Sequence, residues 1–211
     1  MASAQPEDEA PPEATTRAAP TSGPELAFRT GYTAGTGTID DTPLANDVGA
    51  VIPLLFDFGY RLDERWLIGA YAQYGFGVRG ATASAACADC VSSLVRYGLQ
   101  VQYHLRRPRS LWVGLGIGRQ VLNTNLDDER ERSRTHQGWE LLLLQLGGDI
   151  PITDGLALGP FVSCSLGTFD YRIERCENEN LCPRAEREVT WDTRSWPIVW
   201  ATFGIRVVLL P

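Results

Sequence analysis

The sequence predicts an all-β fold: an eight-stranded antiparallel up-and-down transmembrane β-barrel, preceded by a disordered N-terminal tail. Three observations carry this. From Glu25 onward the apolar residues recur mainly with period two. The connections between these runs alternate between short turns and long polar loops. The longest stretch without Asp, Glu, Lys or Arg, Gly155 to Phe169, is shorter than the roughly 18 apolar residues a spanning helix needs. The composition, with 44% hydrophobic residues, 21% charged residues and a mean hydropathy of -0.15, resembles an ordinary soluble protein. It excludes helical spans only, because a barrel strand need be apolar on one face alone.

The elements follow in order. Residues 1–24 are rich in Pro, Ala, Glu and Thr without apolar periodicity and read as a disordered tail; residues 25–211 form the barrel domain. Met1 to Pro24 has no apolar signal-peptide core, yet Ala2-Ser3-Ala4 has the form that precedes a signal-peptidase cut. A mature exported chain is the expectation; a chance tripeptide in a cytoplasmic chain is the alternative. Strands are placed near 25–36, 48–60, 66–79, 93–105, 110–122, 138–150, 155–171 and 195–209. The fourth is the clearest: Val95, Tyr97, Leu99, Val101, Tyr103 and Leu105 alternate with Arg96, Gly98, Gln100, Gln102 and His104. The third, fifth and seventh repeat one pattern after a polar turn, and their glycines, Gly69, Gly114 and Gly159, recur at a period of one hairpin with its connections. In all three the same parity is apolar, and the other is small or polar, as with Tyr71, Gln73, Gln120 and Ser165. Short turns lie at 61–65, 106–109 and 151–154; long polar loops lie at 37–47, 80–92, 123–137 and 172–194.

The net charge of -7 and the absence of a basic patch argue against nucleic acid as a partner. All 19 basic residues are Arg, which suits a GC-rich genome and also bidentate pairing with buried carboxylates. Cys87 with Cys90, and Cys176 with Cys182, form two local pairs in polar segments. Short disulfides in an oxidising compartment are the expectation, with a redox motif or a four-cysteine zinc site as alternatives. Cys164 is left over on an apolar face. No other metal site and no cofactor is expected.

The last strand reads Thr202-Phe203-Gly204-Ile205-Arg206-Val207-Val208-Leu209. With this segment, the strand count and the alternating connections, residues 25 to 211 resemble the small eight-stranded outer-membrane β-barrels of Gram-negative bacteria, the OmpA-, OmpX- and OmpW-like superfamily. The resemblance implies an assembly signal at Thr202, Gly204, Val207 and Leu209. The chain ends Leu210-Pro211 where these proteins usually end on an aromatic residue. It also implies an outer-membrane location, with outer-membrane lipid and the assembly machinery as partners and both termini periplasmic.

The inward parity carries Arg29, Asp57, Gly59, Arg96, Gln100, Gln102, His104, Gln145, Asp149, Thr202 and Arg206. An eight-stranded interior is only wide enough to be filled by side chains, so these charges should pair into a plug. A narrow polar path for ions or small solutes is the alternative. Aromatic residues near strand ends, Tyr60, Trp66, Tyr103, Trp112, Trp139, Trp196 and Trp200, suggest interfacial girdles, although strand packing also enriches aromatics. The acidic run at 127–132 reads as a solvated loop tip. Enzyme activity is not expected: only two histidines occur, neither beside a Ser, and Gly-x-Ser-x-Gly is absent. The sequence identifies no small-molecule ligand. The expected role is structural or in surface interaction through the loops. A soluble lipocalin-like binding barrel would require the opposite orientation of the two parities, with Gly-rich strands facing water.

Overall fold

The computed structural model describes residues 22–46, 48–63, 65–78, 91–105, 111–125, 132–153, 155–176, 188–192 and 197–209. Its strands are β1 (Gly23–Thr36), β2 (Thr38–Ile39), β3 (Thr42–Pro43), β4 (Ala50–Arg61), β5 (Trp66–Val78), β6 (Val91–His104), β7 (Leu111–Asn125), β8 (Arg132–Gly148), β9 (Ile150–Thr153), β10 (Leu156–Cys176), β11 (Glu188–Asp192) and β12 (Ile198–Leu209), with one 3-10 turn at Leu44–Asn46. Eight of them close a ring in the order β1-β4-β5-β6-β7-β8-β10-β12, each antiparallel to its neighbours. The seam joins the first and last strands, from Leu26 opposite Leu209 to Thr36 opposite Val199. Closure leaves the ring no unpaired edge.

The period of two decides what faces where. Phe56, Phe58, Leu99 and Phe203 point outward and are 59%, 63%, 67% and 60% exposed, while Arg29, Gln102 and Arg206 on the other parity are buried. This is the reverse of a soluble ligand-binding barrel. On β5 the outward apolar residues run from Trp66 to Val78. At about 3.4 Å per residue and a tilt near 40°, they span a height of about 31 Å, enough to cross a hydrocarbon core of about 30 Å.

The structure revises several boundaries. Gly23 and Pro24 already belong to β1. Three of the eight ring strands, β7, β8 and β10, continue well past the membrane band, because pairing with a neighbour satisfies their backbone there as well as inside it. Asn123–Asn125, Arg132–Gln137 and Arg172–Cys176 are therefore strand, not loop. β11 pairs with this extension of β10, and β9 occupies what the sequence marks as a turn. The tip at 127–131 lies outside the described residues.

The first long loop is ordered from Gly37 to Asn46. Asp40 and Asp41 take positive φ (47° and 61°) at the tip of the β2–β3 hairpin, a conformation that Asp tolerates. The following 3-10 turn drops Leu44 into the barrel mouth, where it is fully buried with Ile39, Val48, Val51, Leu94, Leu122, Phe169, Ile198 and Trp200.

Of the aromatic residues assigned to girdles, Tyr60, Trp66 and Trp139 face outward. Trp112 and Trp200 do not: both are buried in the lumen. Trp112 sits on the Gly parity of β7, beside Gly147, whose lack of a side chain leaves room for the indole. Trp200 likewise packs where Gly35 leaves space. Trp196 lies outside the described residues.

Candidate functional site: the barrel lumen

All nine residues of the predicted polar cluster face the interior, and the structure brings them together in layers rather than one site. The layer nearest the short turns centres on Arg206. Its guanidinium donates to Asp149 Oδ2 (2.8 Å), Glu25 Oε1 (2.9 Å) and Gln102 Oε1 (3.2 Å), and stacks over the Trp112 ring at 4.6 Å. Glu25 also accepts from Arg61, which lies 3.3 Å from His104 Nε2. One step up, four side chains close a ring of hydrogen bonds. Arg29 donates to Asp57 and to Gln145 (2.6 Å each), Gln145 donates to Gln100 (2.8 Å), and Gln100 donates to Asp57 (2.8 Å). Above it Arg96 donates to Glu140, Ser165 and Gln73, and the Tyr71 hydroxyl donates to the other oxygen of Glu140.

These layers balance in charge. Arg29, Arg61, Arg96 and Arg206 face Glu25, Asp57, Glu140 and Asp149, so each of these four cations has a carboxylate within ion-pair distance. Pairing of this kind is what a narrow, low-dielectric interior requires. The fork geometry of Arg lets one side chain bind two or three partners on different strands, which gives the absence of Lys a structural use.

The outer third of the lumen combines the apolar cluster around Leu44 with buried Gln120, Thr124 and His136. Beneath Leu44, Trp200 Nε1 donates to Gln120 Oε1 (3.1 Å), and Gln120 donates to the Thr168 carbonyl (3.1 Å). Thr33 and Thr202 share a hydrogen bond lower down (2.8 Å). At the rim, beyond the level of Trp139, Arg134 and Arg172 both donate to Glu174 Oε1 (2.9 Å each), and Arg172 reaches Asp40 at 3.4 Å. That last contact ties the inserted loop to β10. Burial alone would raise the Glu174 carboxyl, but the two guanidinium hydrogen bonds outweigh it and hold it below the usual carboxylate value. His136, buried beside them, is lowered to about 4 by burial and by the charges of Arg134 and Arg172.

Sequence reading placed Tyr71, Gln73, Gln120 and Ser165 on the polar parity without assigning them to the cluster. It missed Glu25 and Arg61, which stand at strand ends, and Glu140. The cause at Glu140 is a β-bulge. Pairing jumps from Leu143 opposite Gly116 to Glu140 opposite Gly118, so Leu141 and Leu142 both face outward and the parity flips between Gln145 and Glu140. The run of four leucines hides this from any alternation count.

In the terminal strand Thr202 is buried in the lumen, while Leu209 faces outward. Cys176 ends β10, and Cys87, Cys90 and Cys182 lie outside the described residues. Cys164 is free and outward-facing. Among the described residues, no group of three or more His, Cys, Asp or Glu is arranged to hold a metal.

No known family and no curated protein matches the sequence. Among solved structures, the chain is similar to Neisserial surface protein A, with 10% identity and a TM-score of 0.50 over 90% of this chain and 99% of that one. It is also similar to the outer membrane protein OprG from Pseudomonas aeruginosa, with 13% identity and a TM-score of 0.49 over 90% of this chain and 98% of that one. The first likeness, with the outward apolar band, gives the fold: that of a small eight-stranded outer-membrane β-barrel.

Proposed function

We propose that this protein is an outer-membrane barrel working as a closed scaffold, held in lipid by its wall and interacting through the polar segments beyond β6, β7 and β10. The observation that carries the reading is the lumen. It is filled from one end by paired charges and from the other by an apolar cluster sealed with Leu44. A permeant ion would have to break buried ion pairs and then pass the close-packed side chains around Leu44. Outer-membrane lipid and the assembly machinery are the partners that fit this reading, the latter meeting Thr202, Gly204, Val207 and Leu209. Catalysis is not part of it: His104 is engaged with Arg61, and among the described residues neither ring nitrogen of His136 has a hydroxyl or carboxylate partner.

The test is reconstitution of the full chain into planar bilayers, with unheated gel migration as the check on folding. The barrel should migrate anomalously when unheated, insert into lipid, and give no discrete current steps. Steady single-channel steps from folded protein would refute the closed scaffold. Solubility as a folded monomer without detergent would refute the membrane assignment itself.

A further inference from the structure

The outer wall is not uniformly ridged. On β5 the outward positions at mid-height are Ala70 and Ala72, where neighbouring strands carry large side chains. Across the β4–β5 ladder, Ala70 stands opposite Phe58 and Ala72 opposite Phe56. Phe56 in turn packs on Phe28 of β1, ring centroids 5.3 Å apart. The result is a half-open groove of about 440 Å³, floored by the alanines, walled by these phenylalanines, and extended by Leu26, Val207 and Leu209. That volume is in the range of small-molecule sites. Asp57 and Tyr71 also border it, but their polar atoms are turned into the lumen networks.

We propose that this groove binds one acyl chain of a membrane phospholipid from the leaflet on the short-turn side. The inference rests on the membrane reading above. Two observations select a lipid tail as the occupant. The first is that the groove is continuous with the outward apolar band and offers no polar side-chain atom for a headgroup. The second is depth. The turn that joins the wall strand β4 to the floor strand β5 carries Arg65, five residues before Ala70. Five residues of tilted strand rise about 13 Å, close to half the ~30 Å hydrocarbon core. A phosphate held at the level of the Arg65 guanidinium therefore sends its chain up to the alanines, within reach of a tail and out of reach of a headgroup. A chain lying over Ala70 and Ala72 meets the Phe56 and Phe58 side chains of the adjacent strand alongside it.

The experiment is native mass spectrometry of the full chain, folded in detergent micelles with added phosphatidylglycerol or phosphatidylcholine of one chain length. The parent barrel should retain one phospholipid of either headgroup. Filling the floor with Ala70→Leu/Ala72→Leu, both facing lipid, should lower the retained fraction at least tenfold. Ala201→Leu, outward on β12 and away from the groove, should leave it unchanged. Anomalous unheated migration establishes that each variant is folded. Equal retention by the filled variant overturns the groove, as does retention that tracks headgroup alone. A dimer that disappears in the filled variant overturns it in favour of a second copy as occupant. A parent chain that is folded and soluble without detergent overturns the membrane reading instead, a result the lipid measurement cannot mimic.

Discussion

Replacing Arg206 with leucine separates a structural plug from a conduction path. The guanidinium is 1% exposed and holds Asp149, Glu25 and Gln102 from three other regions of the chain, with the Trp112 ring against its face. Leucine removes the cation and leaves its carboxylates in place. Glu25 keeps Arg61, whereas Asp149 keeps no other ion pair among the described residues. Removing one partner of a buried ion pair costs about 3–5 kcal/mol, and loss of the cation over the indole adds up to about 2 kcal/mol. Urea unfolding in micelles, followed by tryptophan fluorescence, should show a loss of at least about 3 kcal/mol. Current through planar bilayers should stay at background, because Leu44, Leu94, Leu122 and Trp200 still seal the opposite end. Adding Asp149→Leu should recover part of the lost stability, since two apolar groups then replace a pair and leave less charge unpaired. Unchanged unfolding together with new current steps would refute the reasoning.

Other expectations follow from single contacts. Gly159→Ala should lower the folded yield several-fold on unheated gels, because its Cβ would lie 1.4 Å from the Gly148 carbonyl oxygen; Gly114→Ala, whose nearest neighbour is a Gln102 side-chain carbon at 3.3 Å, should stay within about 1 kcal/mol of the parent. Leu44→Asp should undock the first loop, speeding protease cleavage between residues 37 and 49 while global unfolding changes little; an unchanged cleavage rate would show that Leu44 does not hold the loop. Stability should fall as pH drops from about 6.5 to about 4, because the unfolded chain protonates His136 first while its folded value sits near 4; His136→Phe should lose less over that window, and an identical slope in urea midpoint against pH would exclude the histidine.

What was legible in the sequence follows the period of two. Alternation in the Val95 to Leu105 run fixes both the strand and the face of each residue, since successive side chains must point oppositely. Arg29, Asp57, Arg96, Gln100, Gln102, His104, Gln145, Asp149 and Arg206 could all be assigned inward this way, because nothing else in a strand competes with parity. Alternation fails where a residue is inserted. At Leu141 and Leu142 the bulge flips the parity, and Glu140 becomes the partner of Arg96 although alternation counted from Gln145 would place it outside.

The sequence by itself determined the strand number, the outward apolar face and the polar inner one, since these depend on local geometry repeated along each strand. Only the tertiary structure decided who pairs with whom. Arg206 meets Glu25, 181 positions away, because ring closure sets the first strand beside the last. Leu44 seals the mouth, and Trp112 and Trp200 turn inward, because glycine positions and a folded loop leave space there. Those are consequences of curvature and closure, which no single strand encodes.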